Sequence, residues 1–263
     1  MKYLGSKSRI AKYIVPILQS CIDDNSVEYY IEPFVGGGGN IIDKVACEHR
    51  IGSDKNEYLI ALLEHVANGG ELLDTVSKDY YDDIKHTYRQ GKHPAWLVGN
   101  VGFLASFNGR WFDGGYAAPG YEKTKAGLIY RDYYQESKAN LLRQAPLLKD
   151  VELICQDYSL TAIDSEIVVY CDPPYQNTKT YKVSKDFDYA EFWNTMRKWS
   201  KIAYVFVSEQ SAPDDFVSIW HKETFRSMRV TDKFKATENL YVCADSKALL
   251  WAKRNSLFKT IFY

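Results

Sequence analysis

A tetrapeptide with a stiff backbone follows one of the apolar segments of the sequence. Asp172-Pro173-Pro174-Tyr175 comes directly after Glu166–Cys171, a run typical of a buried strand. Two successive prolines fix φ and remove two backbone donors, so this loop offers carbonyl acceptors. A carboxylate beside such a carbonyl can accept both N–H groups of an exocyclic amine, and Tyr175 offers a flat face to the attached ring. The tetrapeptide therefore predicts a site for an amino-substituted ring; the alternative is a tight loop whose prolines only end the strand.

A run of glycines, Gly36–Gly39, follows another predicted strand, Glu28–Phe34. Glycines let the backbone approach a ligand closely and take positive φ. The dinucleotide fingerprint G-x-G-x-x-G is not met, because its sixth position counted from Gly36 is Ile41. Asp54 ends the next predicted strand, where a carboxylate can accept hydrogen bonds from both ribose hydroxyls of an adenosine ligand. Taken alone, the pattern equally fits a glycine turn with Asp54 as a helix N-cap.

Strands and helices alternate along most of the chain. The predicted strands are Glu28–Phe34, Arg50–Ser53, Val151–Cys155, Glu166–Cys171, Ile202–Val207 and Leu240–Cys243, and the predicted helices lie near Ile10–Cys21, Ile41–Glu48, Glu57–Val66 and Tyr189–Lys201. This alternation predicts βαβ units and an open α/β sheet with ligands at the carboxyl ends of its strands. The interval Leu72–Leu148 breaks it with helices near Leu72–Gln90 and Ala95–Phe107, then a Gly-rich and aromatic stretch, Asn108–Tyr121. We interpret this interval as an insertion.

The composition argues against several classes of protein. The 263 residues permit one large domain or a large domain with an insertion. The apolar runs are far shorter than the ~18 residues of a membrane-spanning helix, and the N-terminus lacks the pattern of a secretory signal, so we expect a cytoplasmic protein. The five cysteines contain no C-x-x-C pair and the five histidines are scattered, which predicts neither disulfides nor a metal site. The net charge of -1 gives no support to a nucleic-acid partner, although basic residues are in excess over Lys222–Lys259.

In five separate motifs the sequence resembles the Dam-type DNA adenine N6-methyltransferases, which use S-adenosylmethionine. Asp172-Pro173-Pro174-Tyr175 matches the catalytic motif of that family in full. The other four motifs contribute cofactor-binding residues in the family, and together with Asp172 the corresponding residues here are Tyr3, Lys7, Glu32, Pro33, Phe34, Gly36, Gly38, Asp54, Asp157 and Tyr158. The resemblance assigns Tyr3 and Lys7 to the methionine end of the cofactor, Asp54 to its ribose, and the pair Asp157-Tyr158 to its adenine. The motif order is that of the family's alpha group.

The resemblance also implies a fold and a domain arrangement. The expected fold is α/β, a seven-stranded Rossmann-like class I methyltransferase sheet with an inserted, mostly helical target-recognition domain. We place the S-adenosylmethionine-binding catalytic domain at residues 1–60 and 150–263, and the DNA-binding insertion at residues 61–149.

Four side chains are candidate DNA contacts. Asn108, Arg110 and Trp111 lie in a segment similar to the family's aromatic-Asn-Gly-Arg recognition loop, although it is shorter here, and Tyr181 lies in the polar segment Gln176–Asp188. The alternatives are a hairpin turn at Asn108 flanked by a surface charge, aromatic packing for Trp111, and a surface loop for the segment that holds Tyr181.

These expectations describe a monomeric, site-specific methyltransferase that modifies N6 of a flipped adenine in double-stranded DNA, with GATC as the candidate site and without a metal. Asp172 and the Pro173 carbonyl would accept the two N–H groups of the amine and localise its lone pair for attack on the sulfonium methyl. One alternative is an amino-methyltransferase acting on RNA or protein glutamine, although such relatives often carry Asn where Asp172 stands. A second is a catalytically silent nucleic-acid-binding module or a restriction-modification component.

Overall fold

The computed structural model describes residues 1, 3, 5–38, 41–124, 127–175, 187–229 and 232–257, with the backbone alone for residues 224–229 and 232–236. Within these ranges the α-helices are α1 (Ala11–Asp24), α2 (Glu57–Ala67), α3 (Lys78–Thr87), α4 (Ala95–Gly99), α5 (Tyr133–Gln144), α6 (Tyr189–Ser200) and α7 (Lys247–Arg254). A π-helical turn, Asn100–Leu104, continues α4. None of the helices in the described ranges has the length and hydropathy of a membrane-spanning segment.

Seven of the strands form one mixed sheet. The strands are β1 (Tyr29–Glu32), β2 (His49–Asp54), β3 (Gly120–Thr124), β4 (Gly127–Arg131), β5 (Val151–Cys155), β6 (Ile167–Cys171), β7 (Tyr204–Glu209), β8 (Phe216–Arg229) and β9 (Asp232–Cys243). The sheet order is β5-β2-β1-β6-β7-β9-β8, and β3 pairs with β4 as a separate hairpin. Strands β1, β6 and β7 are parallel neighbours, whereas β9 runs antiparallel to β7 and β8. The predicted α/β class with a seven-stranded sheet is confirmed.

Local sequence signals explain where several elements begin. Ser77 is the N-cap of α3 and accepts a hydrogen bond from the Tyr80 amide, which is why this helix starts at Lys78 and not at Leu72 as predicted. All five residues of β6 are buried, as expected for a central parallel strand. The predicted strand Val151–Cys155 matches β5 at both ends.

The prediction of a helix over Ile41–Glu48 is wrong. This segment makes a single turn, in which the Lys44 and Val45 amides donate to the Ile41 carbonyl. Ile41, Ile42 and Val45 are buried, and such β-branched side chains lose rotamer freedom in a helix. Strand β8 and helix α7 were not predicted, because β8 is mostly polar and the apolar residues of α7 occupy less than three turns.

The described residues group into two compact units, each with its own core. The first unit comprises Met1–Lys12, Val35–Val45 and Gly52–Asp157, and the second comprises Tyr13–Phe34, Ala46–Ile51 and Tyr158–Tyr263. The predicted DNA-binding insertion, residues 61–149, lies within the first unit, and its boundaries stay a prediction.

Close helix packing organises the first unit. Helices α2 and α4 approach so closely that an ideal Cβ on Gly99 would lie 2.1 Å from the Tyr58 carbonyl oxygen. In the second unit, α6 packs its buried Phe192 and Met196 with Val169 of β6 and Val205 of β7. That layer packs α6 against the parallel strands β6 and β7.

Candidate active site

In the first unit, the glycine loop after β1 lies against Tyr3. Gly36 and Gly38 have φ of +52° and +64°, which only glycine adopts readily. An ideal Cβ on Gly36 would lie 3.1 Å from Cε1 of Tyr3, and one on Gly37 would lie 2.9 Å from the Tyr3 Cβ. Two segments that the resemblance assigns to the cofactor are therefore in direct contact, and the contact depends on the missing side chains of the glycines.

Asp54, at the end of β2, is hydrogen-bonded to the same loop. The Gly36 amide donates to Oδ2 over 3.2 Å and the Asn56 amide donates to Oδ1 over 2.9 Å. Burial raises the pKa of Asp54, and the surrounding backbone amides oppose that rise. Asn56, not Asp54, is the N-cap of α2, because its side chain accepts from the amides of Tyr58 and Leu59. The carboxylate of Asp54 keeps acceptor capacity for a ligand hydroxyl.

Asp157 lies in the same corner of the first unit. The Gln156 amide donates to the Asp54 carbonyl over 3.1 Å, which joins the chain after β5 to the end of β2. The Asp157 carboxylate is 3.3 Å from Nζ of the exposed Lys55. The predicted ribose acid and the predicted adenine acid are thus brought together.

Lys7 is buried, with 6% of its surface exposed. The Ser6 amide donates to the Tyr3 carbonyl, and Gly5 has φ of +87°, the conformation that a type II turn requires at this position. The Lys7 ammonium donates to the Gly5 carbonyl over 3.4 Å. The turn therefore holds Tyr3 and Lys7 as one preformed segment.

Two of the predicted cofactor residues pack in the aromatic core of the second unit. The ring centroid of Tyr158 is 5.2 Å from that of Phe34 and 5.7 Å from that of Phe192, and Phe187 completes the cluster. Glu32, at the end of β1, is buried and accepts a 2.6 Å hydrogen bond from the Tyr30 hydroxyl. Pro33 follows it and is buried as well.

The tetrapeptide Asp172–Tyr175 leaves the carboxyl end of β6 and is held by two tyrosine hydroxyls. Tyr175 is buried and donates a hydrogen bond to the Glu238 carboxylate of β9. Tyr189, the first residue of α6, donates to the Pro174 carbonyl over 2.8 Å. Burial, with the nearby charges of Asp172 and Glu238, raises the pKa of Tyr175 well above its ordinary value, so its phenol stays a donor. These two hydrogen bonds hold the carboxyl-terminal half of the tetrapeptide.

Behind this loop lies a layer of buried polar side chains. Tyr170 of β6 and Ser208 of β7 share a 2.8 Å hydrogen bond between their hydroxyls. Burial raises the pKa of Tyr170, and the Asp172 carboxylate adds to that rise. Asp172 itself is only half-buried, so its carboxylate has access to a ligand.

Sequence reasoning missed the residues that support these loops. Glu238 and Tyr189 are distant in sequence from Tyr175 and Pro174, and a lone polar residue in a strand or at a helix start carries no motif. Gln144, which donates a hydrogen bond to the glycine loop, also belongs to no recognisable sequence motif. Register and packing alone reveal such partners.

The predicted recognition segment in the first unit is a tightly folded loop. Asn108 and Gly109 both have positive φ, +56° and +64°, and the Arg110 amide donates to the Phe107 carbonyl over 3.3 Å. This is the turn that sequence analysis gave as the alternative, and it leaves Arg110 exposed. Trp111 stacks on Tyr58 with centroids 5.3 Å apart, which agrees with aromatic packing.

Base contacts by Asn108, Arg110 and Trp111 stay a prediction. Tyr181 and most of the segment Gln176–Asp188 lie outside the described residues. Among the residues that the structure does describe, no group of three His, Cys, Asp or Glu side chains is arranged to hold a metal ion.

The sheet order and the two loops define a class of protein. A glycine loop tied to a strand-end carboxylate suits an adenosine-containing cofactor, and Asp-Pro-Pro-Tyr after the central strand suits an amine substrate, which is the pattern of a class I aminomethyltransferase. The model of the D12 class N6 adenine-specific DNA methyltransferases matches residues 3–236, and the chain belongs to that family. It is also similar to the type II methyltransferase M.MjaIII of Methanocaldococcus jannaschii, with 27% identity over 199 residues, 67% of this chain and 68% of the relative.

The family assignment confirms the predicted enzyme class. The protein is a DNA methyltransferase that acts on N6 of adenine. The alternative of an RNA or protein-glutamine methyltransferase has no support in these comparisons.

Proposed function

We propose that S-adenosylmethionine is the methyl donor and that the first unit binds it through the glycine loop, Tyr3, Lys7, Asp54 and Asp157. The cradle formed by Gly36 and Gly37 against Tyr3 supports this, because it brings together two segments assigned to the cofactor and a side chain at either glycine would push Tyr3 away. The Asp54 carboxylate accepts the amides of Gly36 and Asn56 and keeps acceptor capacity for a ribose hydroxyl. When bound, the cofactor supplies a methyl group on a positively charged sulfur.

The second unit presents the adenine through Asp172, Pro173 and Tyr175. The lone pair of an aromatic amine is delocalised into its ring, so the amine attacks poorly. Asp172 and the Pro173 carbonyl accept its two N–H groups, which favours a tetrahedral nitrogen with a localised lone pair. Positioning and preorganised acceptors then supply the rate enhancement, without a covalent enzyme intermediate.

The observation that carries this proposal is the double anchoring of the tetrapeptide. The hydroxyls of Tyr175 and Tyr189 hold it at Glu238 and at the Pro174 carbonyl. This fixes the loop that carries the Pro173 carbonyl and the Asp172 carboxylate, the two acceptors that we assign to the substrate. Extruding a base from a duplex costs a few kcal/mol, and stacking on an aromatic ring returns about 1–3 kcal/mol. A fixed Tyr175 ring loses little entropy when the base stacks on it.

The insertion at residues 61–149 is proposed to bind the DNA duplex. The hairpin β3–β4 exposes large side chains, with Tyr121 73%, Leu128 67% and Tyr130 60% exposed. Exposed apolar groups of this size mark an interaction surface, and in a DNA-modifying enzyme the partner is the substrate. Arg110 projects from a constrained turn, as a residue that pairs with guanine O6 and N7 requires. GATC stays the candidate sequence.

Methyl transfer to defined substrates tests the proposal. Tritiated S-adenosylmethionine is offered with duplexes that carry GATC or a scrambled site, with single-stranded DNA and with RNA. Label on duplex alone, followed by sequencing of modified bases, supports the assignment and reports the site. Label confined to RNA or single strands would refute it, and modification outside GATC would remove that sequence only.

The cellular role is proposed from the relative. Its name, a type II methyltransferase, supports a modification enzyme of a restriction system. We further propose that the enzyme works in the cytoplasm as a monomer. Sedimentation at equilibrium tests the monomer, and protection of modified DNA against a companion nuclease tests the role. A dimer, or DNA that stays cleavable, contradicts the respective part.

A further inference from the structure

Gln144 is a buried polar side chain that neither the motifs nor the reaction accounts for. It is the last residue of α5, and 6% of its surface is exposed. Its Nε2 donates to the Gly37 carbonyl over 2.9 Å, and its Oε1 accepts from the backbone nitrogen of Met1, also over 2.9 Å. One amide thus joins the glycine loop to the N-terminal segment that carries Tyr3.

The glycine loop also packs against this amide. An ideal Cβ on Gly38 would lie 3.3 Å from Nε2 of Gln144 and 3.0 Å from Cδ1 of Leu63. At its other end the loop is hydrogen-bonded to Asp54 through the Gly36 amide. The three glycines are therefore held between two side chains, a carboxylate that accepts and an amide that donates.

The chemistry of the two contacts demands an amide. A glutamine offers a donor to the Gly37 carbonyl and an acceptor to the Met1 nitrogen, whereas ionised glutamate only accepts and lysine only donates. A carboxylate in place of Gln144 would set two oxygens against each other at Gly37. The loop would then shift away from the position in which it lies against Tyr3.

We propose that Gln144 is a positioning residue of the cofactor site: it fixes the Gly37 carbonyl and the N-terminal segment relative to each other, and so keeps Tyr3 on the glycine loop. This inference rests on the proposed function, which assigns that loop and Tyr3 to S-adenosylmethionine. Gln144 acts through the backbone of Gly37 and does not itself contact the cofactor.

Gln144 also links the predicted DNA-binding insertion to the glycine loop. Helix α5 has Asp132 as its N-cap, directly after Arg131 ends β4. The helix therefore connects the exposed hairpin to the glycine loop. A residue of the predicted DNA-binding insertion sets the shape of the predicted cofactor loop.

The test uses the full chain with Gln144→Glu, which has the same shape, and Gln144→Leu, which makes neither hydrogen bond. S-adenosylmethionine binding is measured by calorimetry, and KM and kcat are measured on duplex DNA. Both variants are expected to raise Kd and KM for the cofactor about tenfold, because the binding-competent loop is populated less. At saturating cofactor kcat stays within about twofold of the unsubstituted enzyme.

Gln135→Glu is the matched control. Gln135 lies on the same helix and its Nε2 also donates to a backbone carbonyl, that of Asp74. It is expected to leave cofactor affinity unchanged. If Gln144 had only a structural role, its variants would show a lower melting temperature but an unchanged Kd for the folded protein. That result would overturn the inference.

A further variant separates this inference from the proposed function. If Asp54→Ala binds S-adenosylmethionine as tightly as the unsubstituted protein, the cofactor site itself is wrongly assigned and the inference fails with it. If Asp54→Ala loses binding while both Gln144 variants keep it, the cofactor site stands and the inference alone is overturned. Loss in both places supports the two together.

Discussion

The hydrogen bond from Tyr175 to Glu238 is expected to contribute measurably to both stability and catalysis. Glu238 is buried, with 8% of its surface exposed, so solvent screens this contact little. A hydrogen bond with a charged partner contributes about 1.5–3 kcal/mol. Tyr175→Phe keeps the ring and removes the donor, so we expect the free energy of unfolding to fall by that amount. For a chain of this length the melting temperature falls by about 3–12 °C.

A double-mutant cycle isolates this contact. Tyr175→Phe, Glu238→Ala and the double variant are unfolded in urea, and Glu238→Gln, which keeps an acceptor oxygen, is expected to recover part of the loss. The interaction energy between the two positions should reach about 1 kcal/mol or more. Because burial raises the pKa of Tyr175 well above its ordinary value, the phenol donates throughout the neutral and mildly alkaline range, and the interaction energy should not vary there.

Tyr241→Phe is the matched control on β9. Its hydroxyl donates to the neutral Gln210 carbonyl over 3.4 Å, so its loss should cost about 0.5 kcal/mol or less. In methyl-transfer assays, Tyr175→Phe should lose less activity than Tyr175→Ala, since the stacking face remains. Additive single effects, within about 0.5 kcal/mol, would refute the claim that Glu238 holds Tyr175.

Three further predictions concern the first unit. Burial raises the pKa of Asp54, so on acidification its carboxylate should take up a proton at a higher pH than an ordinary aspartate does, and cofactor affinity should fall with it. Calorimetry across pH should show this fall, and Asp54→Asn should remove it. Gly37→Ala places a Cβ 2.9 Å from that of Tyr3 and should weaken cofactor binding by about tenfold or more, whereas Gly120→Ala, with open space around it, should not; equal affinities would contradict the cradle. Arg110→Ala should lower discrimination at one base pair by about 1–3 kcal/mol in competition assays, and undiminished discrimination would rule out base reading by Arg110.

Local signals allowed much of the fold and of the site to be predicted. Three features can be recognised because each consists of consecutive residues: the buried strand β6, the stiff Asp172–Tyr175 loop that follows it, and the glycine loop. The predictions that failed, or were not made, concerned features that depend on tertiary contacts as well as on the local sequence. The apolar residues of Ile41–Glu48 have helical spacing, yet the segment forms only a single turn, and this turn is enough to bury its β-branched side chains. Partners such as Glu238 come from strand register, which no local pattern encodes.

The N-cap at Asn56 illustrates the same limit at the cofactor site. Asp54 and Asn56 are both good N-cap residues, and their hydrogen bonds distinguish them: Asn56 accepts from the first amides of α2, whereas Asp54 accepts from the Gly36 amide. Trp111 is a candidate DNA contact by residue type, and its packing on Tyr58 is a tertiary contact that the sequence pattern does not encode. Residue type narrows the choice, and the tertiary contact decides it.

Methyl transfer by Asp172→Ala in a single turnover measures what this carboxylate contributes to the reaction. We expect Asp172 and the Pro173 carbonyl to accept the N–H groups of adenine. The transfer rate is therefore expected to fall about 10²–10³-fold, as on loss of one preorganised hydrogen-bonding group, while Kd for S-adenosylmethionine and for duplex DNA changes by less than about threefold. A transfer rate close to that of the unsubstituted enzyme would contradict the account.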